Sequence, residues 1–280
     1  MSDRAPWPPI RSALFLPASN PRAIEKARGL ACDMVILDLE DAVPEEAKGE
    51  ARAAAVEAVA AGLGKPAAIR VNGVGTAWHD EDAAAVAASA ADAAVLPKAE
   101  SVEEIEAFAR ATGKPVFAMI ETPRAILQLA RGDLPGALVG LIAGTNDFSY
   151  ALRLPPGEDR AALATALQTV VLIARANGLL ALDGVFNALD DAEGFEAQCR
   201  EGRAWGFDGK SLIHPAQIDI ANRVFGASEA EIEEARAVIA AAGGGAERFR
   251  GRMIESMHVQ AAKRILGREA KPAPLPKREG

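Results

Sequence analysis

Two acidic residues stand where a chain can build a metal site. Glu121 closes the apolar run of FAMIETPRA, and Asp147 follows the next such run, in GLIAGTNDFS. Apolar runs of this length read as strands. Ends of neighbouring strands lie side by side, so two carboxylates there can share one ion. Two carboxylates, with the other positions left to water and substrate, is how Mg2+ is commonly held. No pair of cysteines or histidines competes for a softer metal. The alternative is two unrelated carboxylates capping the helices that follow. Arg70, in AIRVNG, closes another apolar run. A guanidinium aimed into a cleft matches a carboxylate with two parallel hydrogen bonds. It can equally form a structural salt bridge with Glu40 or Asp41, and both can hold at once, Glu40 orienting Arg70 while Arg70 grips a ligand. Lys98 and Lys210 also end apolar runs. Each can in principle form a Schiff base, but an ion pair with a neighbouring carboxylate is the weightier reading for both. His214, in LIHP, is expected to fix its loop by hydrogen bonding rather than to act as a base. His79 and His258 have no supporting neighbours in the sequence and are expected to face solvent.

These residues need a frame that gathers strand ends. Short β-like runs alternate with alanine-rich helical stretches, the signature of an α/β fold. Eight strands are predicted: Ser12–Leu16, Met34–Leu39, Ala67–Val71, Ala93–Leu96, Val116–Ile120, Leu138–Ala143, Leu179–Leu182 and Gly206–Leu212. Many are continuously apolar, as strands covered on both faces are. Eight such units predict a TIM (β/α)8 barrel, with an open doubly wound sheet as the rival. Glu40-Asp41, Arg70, Lys98, Glu121, Asp147, Asp183, Lys210 and His214 all sit at or just after these strands. A barrel collects such ends on one face, whereas an open sheet spreads them along an edge. The predicted barrel domain spans residues 1–226. Residues 227–280 read as a helical extension acting as a lid. It has helices near Glu229–Ala242 and Ile254–Leu266, a hinge at Gly243-Gly244-Gly245 and a frayed proline- and charge-rich tail.

The 280 residues suit one barrel of roughly 250 residues with an appendage. A net charge of −8 argues against a nucleic-acid surface but leaves room for an anionic small substrate held by local cations. No apolar run nears the ~20 residues of a membrane span, and the N-terminal stretch lacks the apolar core of a signal peptide. Cys32 and Cys199 belong to no motif and read as reduced thiols of a cytoplasmic protein.

Eight stretches, in order, carry a resemblance. RSALFLPASNP, DMVILDLEDAVPEEAK, IRVNG, VLPKAES, MIETPRAI, GLIAGTNDFS, ALDGVFN and GFDGKSLIHPAQI resemble the aldolase/citrate-lyase family, in particular proteins like the citrate lyase beta subunit and the malyl- and citramalyl-CoA lyases. The resemblance implies a TIM barrel with Mg2+, or Mn2+ as a substitute, on Glu121 and Asp147. It implies Arg70 and Glu121 against the substrate, with Glu40 and Asp41 supporting the site. It also implies a homotrimer in which the C-terminal segment of one subunit covers a neighbour's site. The implied reaction is retro-aldol cleavage of a small carboxylic acid carried as a CoA or acyl-carrier thioester, releasing a 2-oxo acid and an acyl thioester. One departure stands out. Where the CoA lyases read GxMIDxP, with a catalytic aspartate, this chain reads GRMIESMHVQ. Glu255 takes the aspartate's place and is the expected proton-transfer group, and Met257 takes the proline's. The alternatives are thioester hydrolysis or a malate-synthase-like reaction on the same metal and arginine, and a ligand-binding homologue without turnover.

Overall fold

A computed structural model describes residues 7–155, 160–242 and 247–267. Eight parallel strands follow one another around a closed barrel: β1 (Ser12–Pro17), β2 (Met34–Asp38), β3 (Ala67–Arg70), β4 (Ala93–Leu96), β5 (Val116–Ile120), β6 (Leu138–Ala143), β7 (Leu180–Asp183) and β8 (Gly209–Leu212). Ala13 on β1 pairs with Met34 on one side and with Ser211 of β8 on the other. This closure excludes the open-sheet alternative. The helices form the outer ring. They are α1 (Pro21–Ala27), α2 (Lys48–Ala61), α3 (His79–Ala88), α4 (Val102–Thr112), α5 (Pro123–Leu129), α6 (Thr145–Ala151), α7 (Ala164–Ala176), α8 (Ala192–Trp205) and α9 (Ile218–Phe225).

Two apolar layers hold this frame. The larger lies between sheet and helices. The smaller fills the lumen with Met34, Ile36, Val95, Phe117 and Ile142, and Trp7 meets Phe117 edge-on at 5.1 Å where β1 begins. The lumen is therefore a packed core, and the strand C-terminal ends are the face left for a site. The observed strands lie within two or three residues of the expected ones. The largest shift is at β8, which begins at Gly209 because Gly206 ends α8 in the left-handed region (φ 101).

Beyond α9 come α10 (Glu229–Ala241), an antiparallel hairpin of β9 (Glu247–Phe249) and β10 (Arg252–Ile254), and α11 (Ser256–Gly267). The hairpin corrects the expectation of a helix starting at Ile254. It turns at Arg250-Gly251, both with positive φ (45 and 82), the backbone that tight two-residue hairpins require. α10 and α11 pack on each other through Ala235, Val238 and Ala262, apart from the main core. The expected glycine hinge and the tail from residue 268 lie outside the described residues. No helix among the described residues is long and apolar enough to cross a membrane.

Candidate active site

The ends of β2 and β3 meet in register, Asp38 beside Arg70. Asp38 accepts hydrogen bonds from Arg70 Nε and Nη2, each at 2.6 Å, and from the backbone N–H groups of Glu40 and Ala42. Arg70 Nη1 lies 2.9 Å from Glu40 Oε2 and 3.5 Å from Asp41 Oδ2. The Glu40 contact is an ion pair without hydrogen-bond geometry. Burial works against the Arg70 charge, but Asp38, Glu40 and Asp41 outweigh it and hold the guanidinium protonated. Its plane also lies over the Phe15 ring, 5.0 Å from the centroid. The salt bridges expected for Arg70 are present, with Asp38 as a further and closer partner. Asp38 occupies the side-on fork, Nη1 also donates to Met119 Sδ at 3.6 Å, and the residue still lines the mouth pocket.

Glu40 has a second cation. Its Oε1 accepts from Lys98 Nζ at 2.8 Å, and Asp41 stands 3.7 Å from the same ammonium. Burial nonetheless raises the Glu40 carboxyl above its ordinary value, against the pull of Arg70 and Lys98. The buried Lys48 holds this corner from behind, donating to the carbonyls of Leu39 and Glu40 at 2.8 Å each. Glu121 follows β5 and is 1% exposed. Its Oε1 accepts from the Lys98 backbone N–H at 2.6 Å, and its Oε2 lies where a Cβ on Gly144 would collide with it. Gly144 follows β6 as the N-cap of α6, and Asp147 stands in the first turn of that helix. Burial first, then Asp147, push the Glu121 carboxyl from an ordinary 4.5 up to about 7.

Arg70, Asp41, Glu121 and Asp147 thus line one mouth pocket of about 380 Å³ with Phe15 and Ile213 on its apolar side. The remaining candidates fall elsewhere. Lys210 is fully buried, with Nζ 3.0 Å from Asp183 Oδ2 and 2.6 Å from Gln198 Oε1 on α8. It faces the outer wall of the barrel with Asp183, so the ion-pair reading holds and neither group reaches the mouth. His214 accepts from the Ala216 N–H and caps the turn after β8, as expected. His79 departs from expectation: it is half-buried, tilted on Phe108, with Nδ1 2.8 Å from the Asn72 carbonyl. His258 is exposed and accepts from the Glu255 N–H at 3.0 Å. Glu255 itself, before α11, is absent from the pocket lining of its own chain among the described residues.

The closed barrel carries these carboxylates and the carboxylate-bound arginine at its mouth, and comparison with known proteins gives its family. The HpcH/HpaI aldolase/citrate lyase family matches residues 11–215, and the chain belongs to that family. It is 43% identical to a (3S)-malyl-CoA thioesterase of Cereibacter sphaeroides over 93% of this chain and 94% of the relative. It is 34% identical to a citrate lyase subunit beta-like protein of Deinococcus radiodurans over 95% of this chain and 99% of that relative. Among solved structures, CitE of Mycobacterium tuberculosis, in complex with magnesium, acetoacetate and coenzyme A, matches with a TM-score of 0.78 and 33% identity, covering 95% of this chain and 98% of that one.

Proposed function

We propose that this chain is a Mg2+-dependent enzyme that hydrolyses the CoA thioester of a small hydroxy dicarboxylic acid of the malyl type. The observation that carries the reading is the placement of Glu121 and Asp147 in one pocket with Arg70. The donor set fits the metal. Arg70 and Lys98 direct their charges to Asp38 and Glu40, which leaves Glu121 and Asp147 as two close carboxylates, one of them strained by burial. Among the described residues no cluster of three or more metal-ligating side chains forms. That suits Mg2+, which takes one or two carboxylates and keeps waters and substrate oxygens for the rest. Bound there, Mg2+ supplies Lewis-acid stabilisation of substrate oxyanions. Arg70 grips the carboxylate end of the acid with the part of its guanidinium that faces the pocket, and Asp38 fixes its plane. Phe15 and Ile213 keep an apolar wall against the substrate's methylene.

Hydrolysis adds water to the thioester carbonyl carbon, breaks the C–S bond and returns the proton to the departing thiolate. Four C. sphaeroides relatives named (3S)-malyl-CoA thioesterase, at 42–43% identity, support this outcome over the citrate lyase-named relatives at 30–34%. A second reading is C–C cleavage, favoured by the family and by magnesium complexes of CitE with pyruvate and oxaloacetate. There the hydroxyl loses its proton, the bond to the methylene carbon breaks, and the resulting enolate is protonated. Glu255 is the proposed proton carrier. Because it stands away from its own mouth, the reading requires a neighbouring subunit's C-terminal unit to close the pocket, in a homotrimer. Malyl-CoA incubated with the protein and Mg2+ should yield malate and free CoA by mass spectrometry, and excess chelator should stop it. Glyoxylate and acetyl-CoA in equal amounts establish the second reading instead, and full turnover in chelator refutes the metal.

A further inference from the structure

Lys98 has the least ordinary backbone of the mouth. Its φ is 48, in the left-handed region that non-glycine residues seldom occupy, and such strain persists only where the surroundings hold it. The surroundings are visible. The next residue, Ala99, donates its N–H to the Met119 carbonyl on β5, which fixes the turn from outside. The turn aims the Lys98 N–H at Glu121 Oε1 at 2.6 Å, while the ammonium reaches the other way, to Glu40 Oε1 at 2.8 Å. Gly144 meets the opposite oxygen of Glu121, its missing Cβ leaving Oε2 room at the end of β6. The two oxygens therefore have different neighbours. Oε1 is tied to the β4 end, and Oε2 lies on the side from which α6 and Asp147 begin.

We propose that Lys98 is a positioning residue for the metal site, acting through its strained backbone. The N–H occupies Glu121 Oε1, so that Oε2 is the oxygen presented towards Asp147. The side chain pairs with Glu40 and also feels the charge of Asp147, so the backbone role is isolated only between variants that both lack the ammonium. The inference rests on the reading of Glu121 and Asp147 as the Mg2+ site. Outer partners that orient a metal ligand typically account for about 10–100-fold in metal affinity.

The test compares two substitutions that both remove the ammonium but differ in backbone preference. Lys98→Asn tolerates the left-handed region, and Lys98→Val resists it because its Cβ is branched. Mn2+ binding to the whole protein is measured by electron paramagnetic resonance, with melting of the metal-free chains as the check on folding. Lys98→Asn should keep its Mn2+ affinity, and Lys98→Val should bind about 10–100-fold more weakly than Lys98→Asn. If valine does not fold, Lys98→Ala against Lys98→Gly makes the same comparison, with glycine retaining the affinity. Equal affinity in both members of a pair overturns the backbone role, whether both match wild type or both are weakened. Wild type that binds no Mn2+ refutes instead the metal reading on which this inference stands.

Discussion

Glu121 gains its properties from where it is placed. Burial and Asp147 hold its carboxyl up at about 7 rather than 4.5, which reverses the usual acid-side behaviour of a glutamate. Between those values the folded chain keeps a proton that the unfolded chain has released. The stability this proton contributes is lost as pH rises through the window and stays lost above it. A divalent cation takes the proton's place and removes the penalty. Mg2+ should therefore raise the melting temperature more at about pH 8 than at about pH 5.5, and Glu121→Gln should flatten the difference. A Mg2+ shift equal at both pH values contradicts the assignment. Glu121, Asp147 and Arg70 stood out in the sequence because each ends or shortly follows an apolar run. Asp38 was not. It lies inside the run VILDLED, and its role comes from lying in register with Arg70 across two strands, which one sequence does not display. The Lys98 backbone was hidden for a related reason, since nothing in VLPKAES announces a positive φ.

At the scale of elements, the barrel strands could be read because helices cover one face and a packed lumen the other, leaving apolar runs. The pleat was harder. A residue at a strand end faces either the mouth or the outer wall, and Asp183 and Lys210 face the wall. There they join Arg160, which lies in the turn before α7 with Nη2 2.8 Å from Asp183 Oδ1 and its guanidinium 4.9 Å from the Trp205 ring. Asp183 thus lies between Lys210 and Arg160, with Glu201 a second partner of Arg160 at 2.7 Å, and ties β7 and β8 to the β6–β7 connection. Its removal leaves the fully buried Lys210 without a carboxylate, while Arg160 keeps Glu201, at a cost of about 3–5 kcal/mol. Lys210→Met leaves Asp183 paired with Arg160 and accepting from the Gly184 N–H, so its cost should be clearly smaller. Urea denaturation of Asp183→Asn and Lys210→Met decides this. Equal losses contradict the shared-anion account. The β9–β10 hairpin escaped reading for another reason: three-residue strands are too short to show a period of two.

On the scale of the whole molecule, the mouth is built by the barrel and the C-terminal unit stands beside it. α10 and α11 bury their apolar faces on each other, and Arg203 on α8 holds Glu231 on α10 at 2.7 Å. A unit tied to the barrel's flank in this way leaves its own chain's pocket open, consistent with the proposed closure by a neighbour. The sequence placed this extension, but it could not show that the unit packs mainly upon itself. The reading of the mouth depends on one ion in one place. The most direct measurement is anomalous diffraction from a crystal of the protein soaked with Mn2+. The account predicts a single strong peak within bonding distance of both Glu121 and Asp147, and its loss in Asp147→Asn. No peak at saturating Mn2+, or a peak bound to other residues, contradicts it.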